Sequence, residues 1–153
     1  MRNILRKALP LLFSAAILSC NPSNPSSSNN GNNNGGNQHQ NRAPMIECNL
    51  AQNVVAEKDE GGNYVVRTRE FAVISFCARD LDGDKIFYEF SETGGTKPGS
   101  FSPRSGQVDQ YLMGTVWYAP TSVPAKEKHT IKVIVRDESG AEDIGRVDIY
   151  VKP

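Results

Sequence analysis

Between residues 43 and 153, segment after segment alternates apolar and polar side chains, and no stretch shows convincing 3.6-residue spacing of an amphipathic helix. Alternation of this kind puts one face of an extended strand on a core and the other in water. From Phe71 onward, Ala72, Ile74, Phe76 and Ala78 share one face. Ile86, Tyr88 and Phe90 alternate with Lys85 and Glu89, Ile131, Val133 and Val135 with Lys132 and Arg136, and Val147, Ile149 and Val151 with Asp148 and Lys152. Shorter runs are Met45 to Leu50 after Pro44, Val54-Val55, Tyr64 to Val66, and Val116 with Tyr118 ahead of Ala119-Pro120. Asp59-Glu60-Gly61-Gly62-Asn63 reads as a hairpin tip between Val55 and Tyr64. About seven or eight short strands with turn-rich connections predict an all-β, antiparallel β-sandwich.

The segment from Asn21 to Arg42 consists almost wholly of Asn, Ser, Gly, Pro and Gln, and contains no aliphatic residue, Phe, Tyr or Trp. It cannot bury enough apolar surface to offset the entropy of ordering its backbone, so a disordered tether is expected. As a flexible coil it would reach roughly 25 Å. His39, alone in this stretch, has no second ligand beside it. Ahead of the tether, Arg2, Arg6 and Lys7 precede an apolar run from Ala8 to Leu18, the pattern of a secretory signal. That run is about half of what a membrane-spanning helix needs, and Pro10 interrupts it.

Ile17-Leu18-Ser19-Cys20 resembles the lipobox of bacterial lipoproteins. The resemblance implies a diacylated group joined to the Cys20 thiol through a thioether, cleavage before Cys20 and acylation of the new amino group, with palmitate-like chains that make a stable membrane anchor. The organisation expected is a signal peptide over 1–19, a lipid-anchored tether over 20–42 and a single β-sandwich domain over 43–153. Asn21 follows the anchor; the sorting rule of enterobacterial lipoproteins would place such a protein in the outer membrane of a Gram-negative cell. With Arg2, Arg6 and Lys7 removed, 14 basic residues face 17 acidic ones and form no basic stripe, which argues against nucleic acid as a partner.

Four motifs in order make the domain recognisable. They are Asn41-Arg42-Ala43-Pro44, the run Ala78-Arg79-Asp80-Leu81-Asp82-Gly83-Asp84, Tyr118-Ala119-Pro120, and Val135-Arg136-Asp137-Glu138-Ser139-Gly140-Ala141. Together they resemble bacterial immunoglobulin-like modules of the PKD and cadherin-like kind. The resemblance implies an immunoglobulin-like sandwich, and such modules serve as spacers, adhesive units and protein- or carbohydrate-binding units, so fold alone does not fix function.

Asp80, Asp82 and Asp84 are spaced like the first ligands of an EF-hand, but Lys85 replaces the turn glycine and Ser91 the final acid. A cadherin-like calcium site, with Asp137 or Asp143 joining from the last inter-strand loop, is the metal alternative; a polar turn is the other and the favoured one. No cofactor is required by anything in the sequence, and calcium is the one candidate. Cys48 and Cys77 remain as an even pair in an exported chain and are expected to form a disulfide, although Cys77 has the parity opposite to the core-like Ala72, Ile74 and Phe76. His129 is the sole histidine of the domain and is expected to be structural; no nucleophile motif, histidine pair or phosphate loop accompanies it. Phe71, Val73 and Trp117 are expected on the face away from the core, as a binding patch unless the Val54–Val66 hairpin covers them.

These readings combine into a non-catalytic, lipid-anchored module at the cell envelope that binds a protein or glycan. The alternatives are a structural spacer or envelope-complex subunit and, further off, a small envelope enzyme. An uncovered apolar patch distinguishes binder from spacer.

Overall fold

Alternation in the sequence becomes two sheets packed face to face. The computed structural model describes residues 41–108 and 112–153. The strands are β1 (Met45–Ile46), β2 (Val54–Val55), β3 (Glu57–Lys58), β4 (Tyr64–Arg67), β5 (Phe71–Arg79), β6 (Phe87–Gly94), β7 (Ser100–Ser102), β8 (Ser105–Gln107), β9 (Leu112–Tyr118), β10 (Glu127–Arg136) and β11 (Glu142–Lys152). The first sheet runs β1-β5-β9-β7, with β2 also pairing to β5; the second runs β3-β4-β11-β10-β6-β8. Every pairing is antiparallel except β4 with β11. β1, β5, β9 and β7 hold the A, B, E and D positions of an immunoglobulin-like sandwich, and β6, β10 and β11 hold C, F and G.

The inner faces follow the period-two pattern. Ala72, Ile74 and Phe76 of β5 pack against Phe90 of β6 and Ile131, Val133 and Val135 of β10, all sealed from solvent. Phe76 meets Tyr88 and Phe90 edge-on at 5.5 and 5.7 Å, and Phe101 stacks on Phe90 at 5.8 Å. Offset and edge-on rings of this kind add to the burial of the rings themselves.

The N-terminal part of the domain departs from its sequence pattern. The first strand ends at Ile46, and Leu50–Gln52 forms a 3-10 turn capped by Asn49, whose side chain accepts from the Ala51 N–H. Val54-Val55 and Tyr64–Arg67 are not two arms of one hairpin. The chain leaves the first sheet after Val55 and enters the second at Glu57, and the hairpin is β3 with β4, around a turn at Asp59–Asn63. β7 and β8 lack an apolar rhythm, being Ser-Phe-Ser and Ser-Gly-Gln, and their sequences carry no strand signal.

Candidate functional site

The outer face of the first sheet is where exposed apolar side chains gather. β2, β5 and β9 align Val55 with Val73 and Val73 with Val116, and Phe71 lies opposite Tyr118. Directly paired residues point to the same side of a sheet. Val55 is 72 % exposed, Phe71 49 % and Tyr118 44 %, and the two rings lie 6.2 Å apart. Beside Phe71, a groove of about 300 Å³ runs between Ala56, Val65 and Val66 with Arg69 and Glu70 on its rim. The Val54–Val66 segment does not fold over this face, because β3 and β4 belong to the other sheet.

Trp117 is not part of the patch. It pairs with Ala72, points inward and is fully buried. The inward residues of β9 are Thr115 and Trp117, not Val116 and Tyr118. Polar Thr115 is satisfied by the Pro103 carbonyl at 2.7 Å, and the small Ala72 beside Trp117 leaves room for the indole. Phe71 and Val73 do face outward, and Val55, Val116 and Tyr118 join them there.

Beneath the indole is a polar cluster that sequence reasoning missed. The Trp117 Nε1–H donates to Glu92 Oε2 at 3.0 Å, and the Gly99 amide donates to the same oxygen at 2.9 Å. The other Glu92 oxygen pairs with Nδ1 of His129, which is fully buried and stacked obliquely against the indole at 5.5 Å. Nε2 of His129 lies 3.3 Å from Glu127 Oε1 without making a hydrogen bond, and Glu127 accepts from the Thr96 amide at 3.1 Å. One signal for Glu92 was present in the sequence: it is in phase with inward Tyr88 and Phe90.

At the other end of β10 the inter-strand loops bring acids together. One oxygen each of Asp80, Asp84 and Asp137 lies within 4.8 Å of the others. Asp82 and Asp143 are not in this group. Asp82 accepts from the Arg42 amide at 2.7 Å and from its guanidinium at 2.9 and 2.7 Å, and Asp143 accepts from the Ile46 amide at 2.9 Å. Asp137 is shifted below its ordinary value by the Asn41 side-chain amide, with Ser139 and the Ala141 amide adding to it. Asp84 is pushed the opposite way, first by lost hydration and then by the carboxylates of Asp80 and Asp137. Asp80 bonds the Asp82 amide through Oδ1, while its buried Oδ2 has no hydrogen-bond partner. Calcium takes about six to eight oxygens. Three residues, one of them already saturated by donors, fit such an ion poorly, whereas a turn built on Asp80 and Asp137 explains most of the bonding.

Cys48 and Cys77 are joined by a disulfide, with Cα atoms 5.4 Å apart. The parity conflict disappears because Cys48 lies beyond the end of β1, in a bend that carries it onto the outer face of β5. Residues 1–40, with the signal segment, Cys20, most of the tether and His39, lie outside the described residues. No helix among the described residues is long and apolar enough to cross a membrane.

The sequence matches no family model and no curated protein. Among solved structures, the chain is similar to the ASH/PapD-like domain 7 of human CEP192 at 10 % identity, over 67 % of this chain and 86 % of that one, with a TM-score of 0.43. It is also similar to a nucleoside hydrolase-related hypothetical protein from Saccharophagus degradans associated with carbohydrate metabolism, at 14 % identity over 73 % of this chain and 26 % of that one, TM-score 0.44. A third is WR4, a C. elegans MSP family member, at 11 % identity over 57 % and 90 %, TM-score 0.38.

Proposed function

We propose that this chain is a lipid-anchored cell-envelope protein whose immunoglobulin-like domain binds another protein, without catalysis, through the outer face of its first sheet. The observation that carries the reading is the apolar row of exposed Val55 with half-buried Val73 and Val116, and exposed Phe71 and Tyr118 beside it. Exposed apolar clusters of this kind mark interaction surfaces. The second sheet supplies the contrast. Its outer face carries Lys128 bound to Asp148 at 3.2 Å, Thr130 to Asp148 at 2.6 Å and Arg136 to Glu142 at 2.8 Å. Its exposed Phe87 stands among Glu89, Gln107 and Arg136. A largely aliphatic row with few hydrogen-bonding side chains suits an apolar protein surface better than a glycan. The anchor reading rests on Ile17–Cys20 and puts the domain on a tether at the envelope, in the outer membrane if the cell has one.

Photo-crosslinking in the native envelope tests this. A photoreactive phenylalanine at position 71 or 118 should give one discrete protein adduct, and the same probe at Lys132 should give none. Val73→Asp should abolish the adduct, and Cys20→Ala should release the protein from the membrane fraction. Equal labelling from both sheets, or none from position 71 or 118, would overturn the binding face; membrane retention of Cys20→Ala would overturn the anchor.

A further inference from the structure

Near the β8 edge of the second sheet, the outer face holds a concavity of about 510 Å³. Phe87, 43 % exposed, lines it. Phe87 pairs with Gln107 of β8 on one side and with Arg136 of β10 on the other. Along the same strands, Glu89 pairs with Ser105 and with Ile134. Directly paired residues project to the same side of a sheet, and Tyr88, Phe90, Val133 and Val135 occupy the inner side. These six side chains therefore form one outward array, and all of them line the concavity. Its apolar part is the Phe87 ring with half-buried Ile134 diagonally beside it; the rest is an amide, a guanidinium, a carboxylate and a hydroxyl.

Charge in this array is balanced. The Arg136 Nε–H donates to Glu142 at 2.8 Å, and the Arg104 guanidinium lies 3.7 Å from Glu89. Each charged group of the concavity thus has an opposite charge at its outer side, and no net charge is left to draw an ion. Hydrogen-bonding capacity, by contrast, is left over. The side chains of Ser105 and Gln107 bond no other described residue. Arg136 has further N–H groups beyond the one given to Glu142, and the Glu89 carboxylate has further lone pairs. An apolar protein segment laid here would strip water from these groups and pair none of them. A neutral saccharide meets both demands. The C–H groups on one face of a pyranose ring pack on the electron-rich face of an aromatic ring, while its hydroxyls both donate and accept at the rim. We propose that Phe87 is the platform of a binding site for a neutral glycan, with Gln107, Arg136, Glu89 and Ser105 taking its hydroxyls.

This site is independent of the protein-binding face proposed above, which belongs to the other sheet. The two faces differ in the way their ligands do: one is a row of aliphatic side chains, the other a single ring framed by planar polar groups.

Amide NMR spectra of the full-length protein in phosphocholine micelles, which carry no sugar of their own, test the site. The probes are soluble oligosaccharides of glucose, mannose, galactose and N-acetylglucosamine, with oligogalacturonate as the acidic counterpart. At least one neutral probe should shift the amides of Phe87, Glu89, Gln107 and Arg136 saturably and leave those of Phe71 and Val73 in place. Oligogalacturonate should shift none of them. Phe87→Ala should weaken binding about tenfold, because it removes the platform. Phe87→Trp should keep it, Gln107→Ala should weaken it with the ring intact, and Phe71→Ala should leave it unchanged. The same spectra report whether each variant is folded. Absence of saturable shifts with every neutral probe, equal shifts with oligogalacturonate, or unchanged affinity in Phe87→Ala would overturn the glycan site. A discrete protein adduct from a photoreactive phenylalanine at position 87 in the native envelope would overturn it in favour of a protein partner.

Discussion

β10 joins two carboxylate clusters that solve the same physical problem in opposite ways. At its start, Glu92 and Glu127 are surrounded by donors: an indole N–H, two backbone amides and an imidazole. Just past its end, Asp80, Asp84 and Asp137 converge on one another, and only Asp137 is fully supplied with donors. The first cluster ties the two sheets together, because its members come from β6, β9 and β10 and from the crossover between sheets. The second shapes loops at the surface and leaves Asp84 under repulsion. Carboxylates close to one another therefore imply neither a binding site nor instability; the donors around each oxygen decide.

Removing one member from each cluster should separate them most sharply. Glu92→Ala would strand the Trp117 N–H, the Gly99 amide and His129 inside the protein and should lower unfolding free energy by about 3 kcal/mol in urea. Asp84→Ala should cause no loss. Equal losses in the two variants would erase the distinction between the clusters.

Acid exposes a second contrast, with its sign fixed by the direction of each shift. Lys126, reinforced by the Asn63 amide, holds Asp59 at about 2 against an ordinary 3.8. Asp137 and Asp148 are also lowered, Asp137 chiefly by Asn41 and Asp148 chiefly by Thr130. Their stabilisation is fully present above the ordinary carboxylate range and is lost as pH falls through the lowered values. Asp84 acts in reverse: raised in the folded state, it favours folding when protonated and loses that contribution as pH rises through its shifted value. Denaturation followed from about pH 5 down to about pH 2 should show falling stability, with a shallower fall in Lys126→Gln. At neutral pH, Asp84→Asn should be the more stable protein. A Lys126→Gln profile that overlays the natural one would remove Asp59 from this account.

Calcium should have the smallest effect. The converging oxygens give a divalent ion some attraction but far fewer than the usual number of ligands. Millimolar Ca²⁺ should raise the melting temperature by no more than about one or two degrees, through partial relief of repulsion. A rise of several degrees that vanishes in Asp84→Asn would mean a dedicated site and would contradict the turn reading.

The sandwich was legible because its long strands have one apolar side each, and β5, β6, β10 and β11 keep the phase their sequences suggest. β9 misled because Val116 and Tyr118 look more apolar than Thr115. The inward Thr115 and Trp117 are satisfied by Pro103 and Glu92, partners distant in sequence whose positions no local pattern encodes. The same reason hid the Glu92 cluster: its members come from residues 92 to 129, and only their meeting makes them a unit. The acidic loops were visible as a run of aspartates, but which of them converge depended on Arg42 and Ile46 drawing Asp82 and Asp143 aside.

The disulfide has a mechanical consequence. A pull on the chain at Asn41 meets β1, which is only two residues long and would unzip one pair at a time. The unzipping stops at Cys48, which is bonded to Cys77 in the middle of the first sheet. Beyond that point the load bypasses the 3-10 turn, β2, β3 and β4 and enters β5 directly. β5 is also the strand that displays Phe71 and Val73. Tension between the tether and anything gripping those side chains would therefore run along a single covalently joined line, leaving the second sheet unstretched.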